Sequence, residues 1–378
     1  MKYFSELNNR LGKKIRDNVL IDLKRGDSIR PSKLETTTAF VATLISLTPY
    51  FICSIGAAII LSNWESVPAI AIGCIILASG LYLRPRSFKN TQTTLRRADA
   101  PTLFSLLDNI ANHLKSPPID GVHVDSNFNA YMAEFKGKDR VLGIGAPLWL
   151  ALDPPERLAL LAHEVAHLIN NDPARGKIAS NALETLARWH DLIHPPTLIN
   201  HEHNTRFYYE NRGLIGQLFS YLLGGVISTI ALGFEKLIFA ESQRSEYLAD
   251  IASSSIAGAA AEKSSLKKII LSPLAEYALK HAHYDGSKDI NLFENMARAV
   301  RSPDTHKAAE LYTEADKSMH TIDSSHPPTR YRMEVVAIAG NLEPAIDTDQ
   351  VDWAAIDEEF APHFQREEQA LLSKIIIQ

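Results

Sequence analysis

Residues 153–172 read DPPERLALLAHEVAHLINND, and within them His163-Glu164-Val165-Ala166-His167 sets two imidazoles four residues apart. Side chains at that spacing leave one face of a helix about one turn apart, so both rings reach a single metal ion. Glu164, one residue on, lies at the flank, where its carboxylate serves an attacking water instead of the metal. Two neutral imidazoles beside a base suit hydrolysis of a carbonyl compound at zinc. Three fixed residues at this spacing arise by chance in roughly one chain in a hundred of this length. The setting therefore has to decide.

That setting is a well-marked helix. Asp153 stands at its N-cap, Pro154 suits its first turn, and Glu156 completes a capping box. Leu158, Leu161, Val165, Leu168 and Ile169 form an apolar face, with no proline or glycine among them. A catalytic zinc site needs a third protein ligand and one open position. The best candidate stands on a second helix, residues 241–250, ESQRSEYLAD. Glu246 and Asp250 are four apart and share a face. Glu246 would complete a His₂Glu set, while Asp250 could accept a hydrogen bond from the far nitrogen of a ligating histidine. Glu241 is a rival ligand that spacing does not exclude, and a solvated acidic face is the bland reading.

The elements that must position these residues read as α+β, mainly helical, from about Asp99 onward. Residues 100–115 have helical periodicity through Leu103, Leu106, Leu107, Ile110 and Leu114. Val122–Val124, Asn127–Phe135 and Arg140–Ile144 read as strands, the last two joined as a hairpin through residues 136–139. The last 35 or so residues are acidic (Asp347, Asp349, Asp352, Asp357, Glu358, Glu359) and form an appended helix without an evident role.

Ahead of this region, Phe40 to Leu61 holds no charge. As a helix it would extend roughly 33 Å, enough to cross a bilayer core. Val67 to Leu83 is equally uncharged, and only SNWES separates the two, so they form a membrane hairpin. Basic residues cluster before the first run and after the second and are absent between them, which places both flanks in the cytoplasm. The leading segment, with Leu7, Leu11, Ile15 and Leu20, either lies along the membrane or packs on its own protein. A third apolar run, 214–232, lies between His167 and Glu246. One crossing there would part the two ligands, and two crossings need about 40 residues. The run is therefore expected to be re-entrant, in-plane or buried, with Gly224-Gly225 suited to a bend.

The 378 residues and net charge of −5 give no electrostatic reason to expect a nucleic-acid partner. Cys53 and Cys74 lie inside apolar runs, which argues against a disulfide-stapled secreted protein. His190, His194, His201 and His203 could frame a second metal site, but Pro195-Pro196 ends the helix there, so interfacial or hydrogen-bonded histidines are the preferred reading.

Taken in order, Asn129-Ala130 ahead of the strand VLGIG (141–145), HEVAHLINND, SEYLAD (245–250) and Ser325-His326-Pro327-Pro328-Thr329 followed by Arg332 resemble the M48 family of integral-membrane metallopeptidases, over roughly residues 100–335. The resemblance implies a gluzincin-type peptidase domain binding one Zn²⁺ per chain. It makes His163, His167 and Glu246 the ligands and Glu164 the general base. Asp250 falls behind the ligands, and His326 and Arg332 on a late motif that approaches the active site and stabilises the oxyanion. It implies a peptide substrate lying as an added strand against 127–135. It also implies an integral protein of a bacterial inner membrane with its catalytic domain in the cytoplasm, acting on membrane or misfolded proteins. The expected division is 1–36 as a cytoplasmic N-terminal segment, 37–84 as the hairpin, 85–340 as the peptidase domain and 341–378 as the tail. The sequence leaves the oligomeric state open. The competing reading is a non-catalytic zinc-containing membrane scaffold or sensor, against which Glu164 speaks, since a structural site needs no such base.

Overall fold

The computed structural model describes residues 12–22, 33–85, 94–135, 139–169, 172–193, 214–285, 291–317, 327–340 and 343–377. It divides into two compact units. One comprises residues 1–29, 88–173 and 242–378; the other comprises 30–87 and 174–241. This differs from a division in sequence order, because 1–29 and the acidic tail fall with the candidate site residues, and 174–241 falls with the hairpin.

In the first unit the short helix α1 (residues 12–22) precedes the hairpin in sequence. A four-stranded mixed sheet has the order β1-β2-β4-β3, with β1 Thr94–Leu95, β2 Gly121–Asp125, β3 Ala130–Glu134 and β4 Arg140–Gly145. Strands β2 and β4 run parallel, and β3 pairs antiparallel to β4 from Ala130↔Ile144 to Glu134↔Arg140. The hairpin expected from sequence is therefore present, with β3 shorter than the 127–135 stretch. Before it the chain turns so tightly that a Cβ on Gly145 would lie 1.7 Å from the Asn127 carbonyl oxygen, a place for glycine alone. Strand β1 pairs antiparallel to β2 and went unread in the sequence, since two residues give no periodicity.

Helix α4 (Pro101–Leu114) packs on α6 (Pro154–Ile169), and the short α5 (Ala146–Ala151) leads into it. Helix α6 also meets β3 and α9 (Ala259–Ile270), so it is enclosed on all sides: Leu158, Ala159, Leu161, Ala162 and Val165 are all fully buried. Its start is fixed by polar contacts. The Asp153 backbone N–H donates to Glu156 Oε2 at 2.7 Å, half of the expected capping box. Lys268 ties both carboxylates, at 2.9 Å from Asp153 and 2.6 Å from Glu156.

Helices α10 (Ser272–Asp285), α11 (Leu292–Arg301), α12 (Thr305–Lys317) and α13 (Thr329–Ala339) follow. The tail is α14 (Trp353–Ile377), and its acids have a structural use. Glu359 accepts from the Thr102 and Leu103 N–H groups at the start of α4, at 2.7 and 3.0 Å. Glu368 does the same for Phe293 at the start of α11, at 2.8 Å. Carboxylates at helix N-termini satisfy orphan donors and complement the helix dipole. Asp357 receives the Trp149 indole N–H at 2.8 Å and Arg157 of α6 at 3.0 Å, while Phe360 packs edge-on to Trp149.

The second unit consists of α2 (Lys33–Ser62), α3 (Val67–Leu83), α7 (Asp172–Ile193) and the part of α8 (Leu214–Ala257) up to Glu241. Helices α2 and α3 approach backbone to backbone. A Cβ on Gly56 would lie 2.6 Å from the Leu77 nitrogen, and one on Gly80 would lie 2.8 Å from the Cys53 nitrogen. Small residues at such a crossing allow the close packing that holds helices together in lipid. The unit's outside is apolar: Phe51, Leu61, Tyr221, Leu222 and Leu232 are all more than half exposed. Among the described residues, two helices, Leu34–Ser62 and Ser220–Ala257, are long and apolar enough to cross a membrane, and only 11% and 17% of their apolar windows are buried. A core helix of a soluble protein would be mostly covered.

Residues 214–232 are continuous helix through Gly224-Gly225, and the expected bend is not there. The exposure of Tyr221, Val226 and Ile230 also excludes burial of this run. Helix α7 lies between His167 and this run in sequence and packs against it. Ala179, Ala182 and Leu186 of α7 pack with Ala42 of α2 and with Ile227 and Phe234 of α8. Arg175 at the start of α7 lies 3.2 Å from both Glu35 and Glu241, joining the ends of three helices. Lys177, Glu184, Arg188 and Asp191 disguise α7 in a hydropathy reading.

Candidate active site

Four helices of the catalytic unit deliver the site. Helix α6 brings His163, Glu164 and His167; α8 brings Glu246 and Asp250; α9 brings Glu262; α13 brings Arg332. His163 Nε2 lies 3.6 Å from Glu246 Oε2, and His167 Nε2 lies 3.6 Å from Glu246 Oε1. Donor atoms of the three residues all fall within 4.8 Å of one another. The other nitrogen of His163, Nδ1, is 3.1 Å from Asp250 Oδ1. Glu164 is buried, 7% exposed, beside His163. Glu241, the rival ligand, is engaged with Arg175. His326, His194, His201 and His203 lie outside the described residues.

The family resemblance implies that Arg332 approaches the active site, and the structure sets it among carboxylates. Its Nη2 donates to Asp250 Oδ1 at 2.6 Å and its Nε to Asp250 Oδ2 at 2.9 Å. Its Nη1 is 3.3 Å from Glu246 Oε2, and Nη2 stands 3.4 Å from both ring nitrogens of His163. Burial would raise the Asp250 pKa, but the Arg332 charge and the hydrogen bonds from His163 and Arg332 outweigh it and hold the carboxyl below its usual range. Burial likewise disfavours a charged His163, yet acceptance by Asp250 and Glu246 raises its pKa well above the ordinary value.

Glu262 is a site residue that sequence reasoning missed, since nothing near it in the chain marks it. It is 1% exposed, and burial first, then the Asp250 charge, push its pKa up to about 8. Ser253 Oγ bonds it and also reaches the Ala159 carbonyl of α6 at 2.8 Å. The Ser253 hydroxyl thus faces two acceptors, the Glu262 carboxyl and the Ala159 carbonyl. His163, Asp250 and Glu262 also lie within metal-binding reach of one another. That group suits a cation poorly, because Asp250 is committed to Arg332. The His163–His167–Glu246 group offers two imidazoles and a carboxylate, the donor chemistry of catalytic zinc, and His167 keeps 15% of its side chain open to solvent.

In metal-free protein, Glu262 retains its proton folded across a range, about pH 4.5 to 8, where the unfolded chain has released it. Its contribution to stability is therefore complete below pH 4.5 and is lost as pH rises toward 8. Glu262→Gln keeps the shape and a donor. Variant and wild type should melt alike near pH 4.5 in chelator, and the variant should melt higher near pH 8. Equal melting at both pH values would show Glu262 ionised in the fold.

A helix bearing His-Glu-x-x-His beside a small sheet, met by a glutamate from a distant helix, is the arrangement of a peptidase. The model of peptidase family M48 matches residues 101–338, and the chain belongs to that family. It is similar to the protease HtpX of Pseudomonas putida strain W619, at 23% identity over 229 residues, covering 60% of this chain and 67% of that protein. The HtpX proteases of Pseudomonas putida strain GB-1 and Pseudomonas syringae pv. syringae strain B728a match at 22% identity with the same coverage. No solved structure gives a significant match.

Proposed function

We propose that the protein is a membrane-anchored zinc endopeptidase. It hydrolyses peptide bonds of membrane or misfolded proteins, with its catalytic unit on the cytoplasmic side of a bacterial inner membrane. The observation that carries this reading is the convergence of His163, His167 and Glu246 within 4.8 Å, beside buried Glu164. These three residues would hold the ion. When bound, zinc supplies Lewis acidity, which lowers the pKa of water and polarises a carbonyl.

The chain's own residues do the rest. Asp250 accepts from His163 Nδ1 and so presents Nε2 toward Glu246 and His167. Arg332 neutralises Asp250 and Glu246 and fixes their orientation. Glu164 takes a proton from the attacking water and delivers it to the departing amine. Strand β3 is a sheet edge beside α6, so an extended peptide can add to it and bring its scissile bond to the histidines.

The test is metal content and proteolysis together. Purified full-length protein should hold one zinc per chain and cleave casein, and a chelator should abolish cleavage until zinc is restored. Zinc without cleavage of casein or of any membrane-protein substrate would favour the scaffold reading.

A further inference from the structure

Helix α1 lies outside the stretch that matches the M48 family, yet it is seated behind the candidate metal site. Val19, fully buried, packs with Tyr247 of α8 and with Tyr331 and Val335 of α13, and Ile15, Leu20 and Ile251 close the cluster. Three of these contacts are the sequence neighbours of site residues: Tyr247 follows Glu246, Ile251 follows Asp250, and Tyr331 precedes Arg332. Ile15 and Leu20 of the leading segment thus pack on their own protein, and Leu7 and Leu11 lie outside the described residues.

One polar residue registers the seat. Arg16 Nη1 lies 3.0 Å from Glu334 Oε2, its Nη2 lies 2.8 Å from Asp17, and its guanidinium sits 4.4 Å over the Tyr331 ring. Glu334 and Tyr331 flank Arg332 on α13, an 11-residue helix without a capping side chain. A helix that short holds no fixed position unaided; its tertiary contacts place it. Helices α9 and α12 supply some of these contacts, and α1 supplies the face next to Arg332.

We propose that α1 is a positioning element for the metal site, and that Arg16 is the positioning residue, acting through Glu334 and Tyr331 to set Arg332 against Glu246 and Asp250. The inference rests on the zinc reading above.

The experiment compares full-length wild type with R16E, E334R and the R16E/E334R exchange in detergent. It measures zinc affinity by competition with a chromophoric chelator, and kcat and KM on casein. Each single variant should bind zinc about tenfold more weakly and lose kcat by a similar factor, with KM little changed, and the exchange should recover most of both losses. A general loss of folding would instead lower the active fraction and leave the zinc affinity of that fraction unchanged. Folded single variants with wild-type zinc affinity, or an exchange that recovers nothing, would overturn the proposal. If R16E does not fold, Arg16→Gln removes the same contact while leaving Glu334 paired with Arg330, and it must weaken zinc binding. A wild type that binds no zinc would sink the proposed function itself, a result distinct from any of these.

Discussion

Glu164→Gln should leave one zinc per chain and lower kcat by roughly 10²- to 10⁴-fold, the usual contribution of a positioned proton-transfer group. Glutamine matches glutamate in shape, so the enclosed helix α6 tolerates it, and the three candidate ligands are untouched. What is lost is the capacity to accept a proton from water and pass it to the amine. KM should change little, because in the proposed mechanism the β3 edge, and not Glu164, holds the substrate. His163→Ala gives the contrasting result and loses zinc and cleavage together. A Glu164→Gln protein that cleaves at the wild-type rate would remove Glu164 from the mechanism.

Arg332→Ala should be the most damaging substitution to the fold of the site. Arg332 and Asp250 are 7% and 0% exposed at a separation of 2.6 Å. Removing one partner of such a buried pair leaves the other charge uncompensated, at a cost of about 3–5 kcal/mol. Here two carboxylates, Asp250 and Glu246, lose their common cation. In the metal-free protein the melting temperature should fall on the order of 10 °C. Excess zinc should restore part of the loss, since an ion bound by the folded state alone stabilises it. Arg332→Lys should recover only part, because an ammonium cannot bridge Asp250 and Glu246 as a planar fork does. A metal-free Arg332→Ala protein that melts like wild type would show that the guanidinium is not needed to balance these acids.

Local spacing made much of the site readable. The i, i+4 geometry of a helix is set by covalent structure, so His163 with His167, and Glu246 with Asp250, could be paired on their faces from the chain alone. Proline, aspartate and glutamate at 153–156 marked where the helix begins, and the strand–turn–strand pattern marked the hairpin of β3 and β4. Local signals fade where no neighbour in sequence records the partner. Nothing around Glu262 shows that it will lie under Asp250, and nothing around Arg16 shows that it will stack on Tyr331. Charge hid the packing of α7 with α2 and α8, which a hydropathy count passes over because its apolar side is only one stripe of the helix.

The sequence by itself determined the chemistry on offer: a pair of imidazoles, an adjacent base, a glutamate–aspartate face, and apolar stretches long enough for a bilayer. Only the tertiary structure decided the electrostatics of their meeting. It buries Arg332 between two acids, sinks Glu262 beneath Asp250, turns the acidic tail into caps for α4 and α11, and seats the N-terminal helix behind Glu246. Periodicity follows from bonds between neighbours, whereas desolvation and charge pairing depend on which distant helices share the same few ångströms.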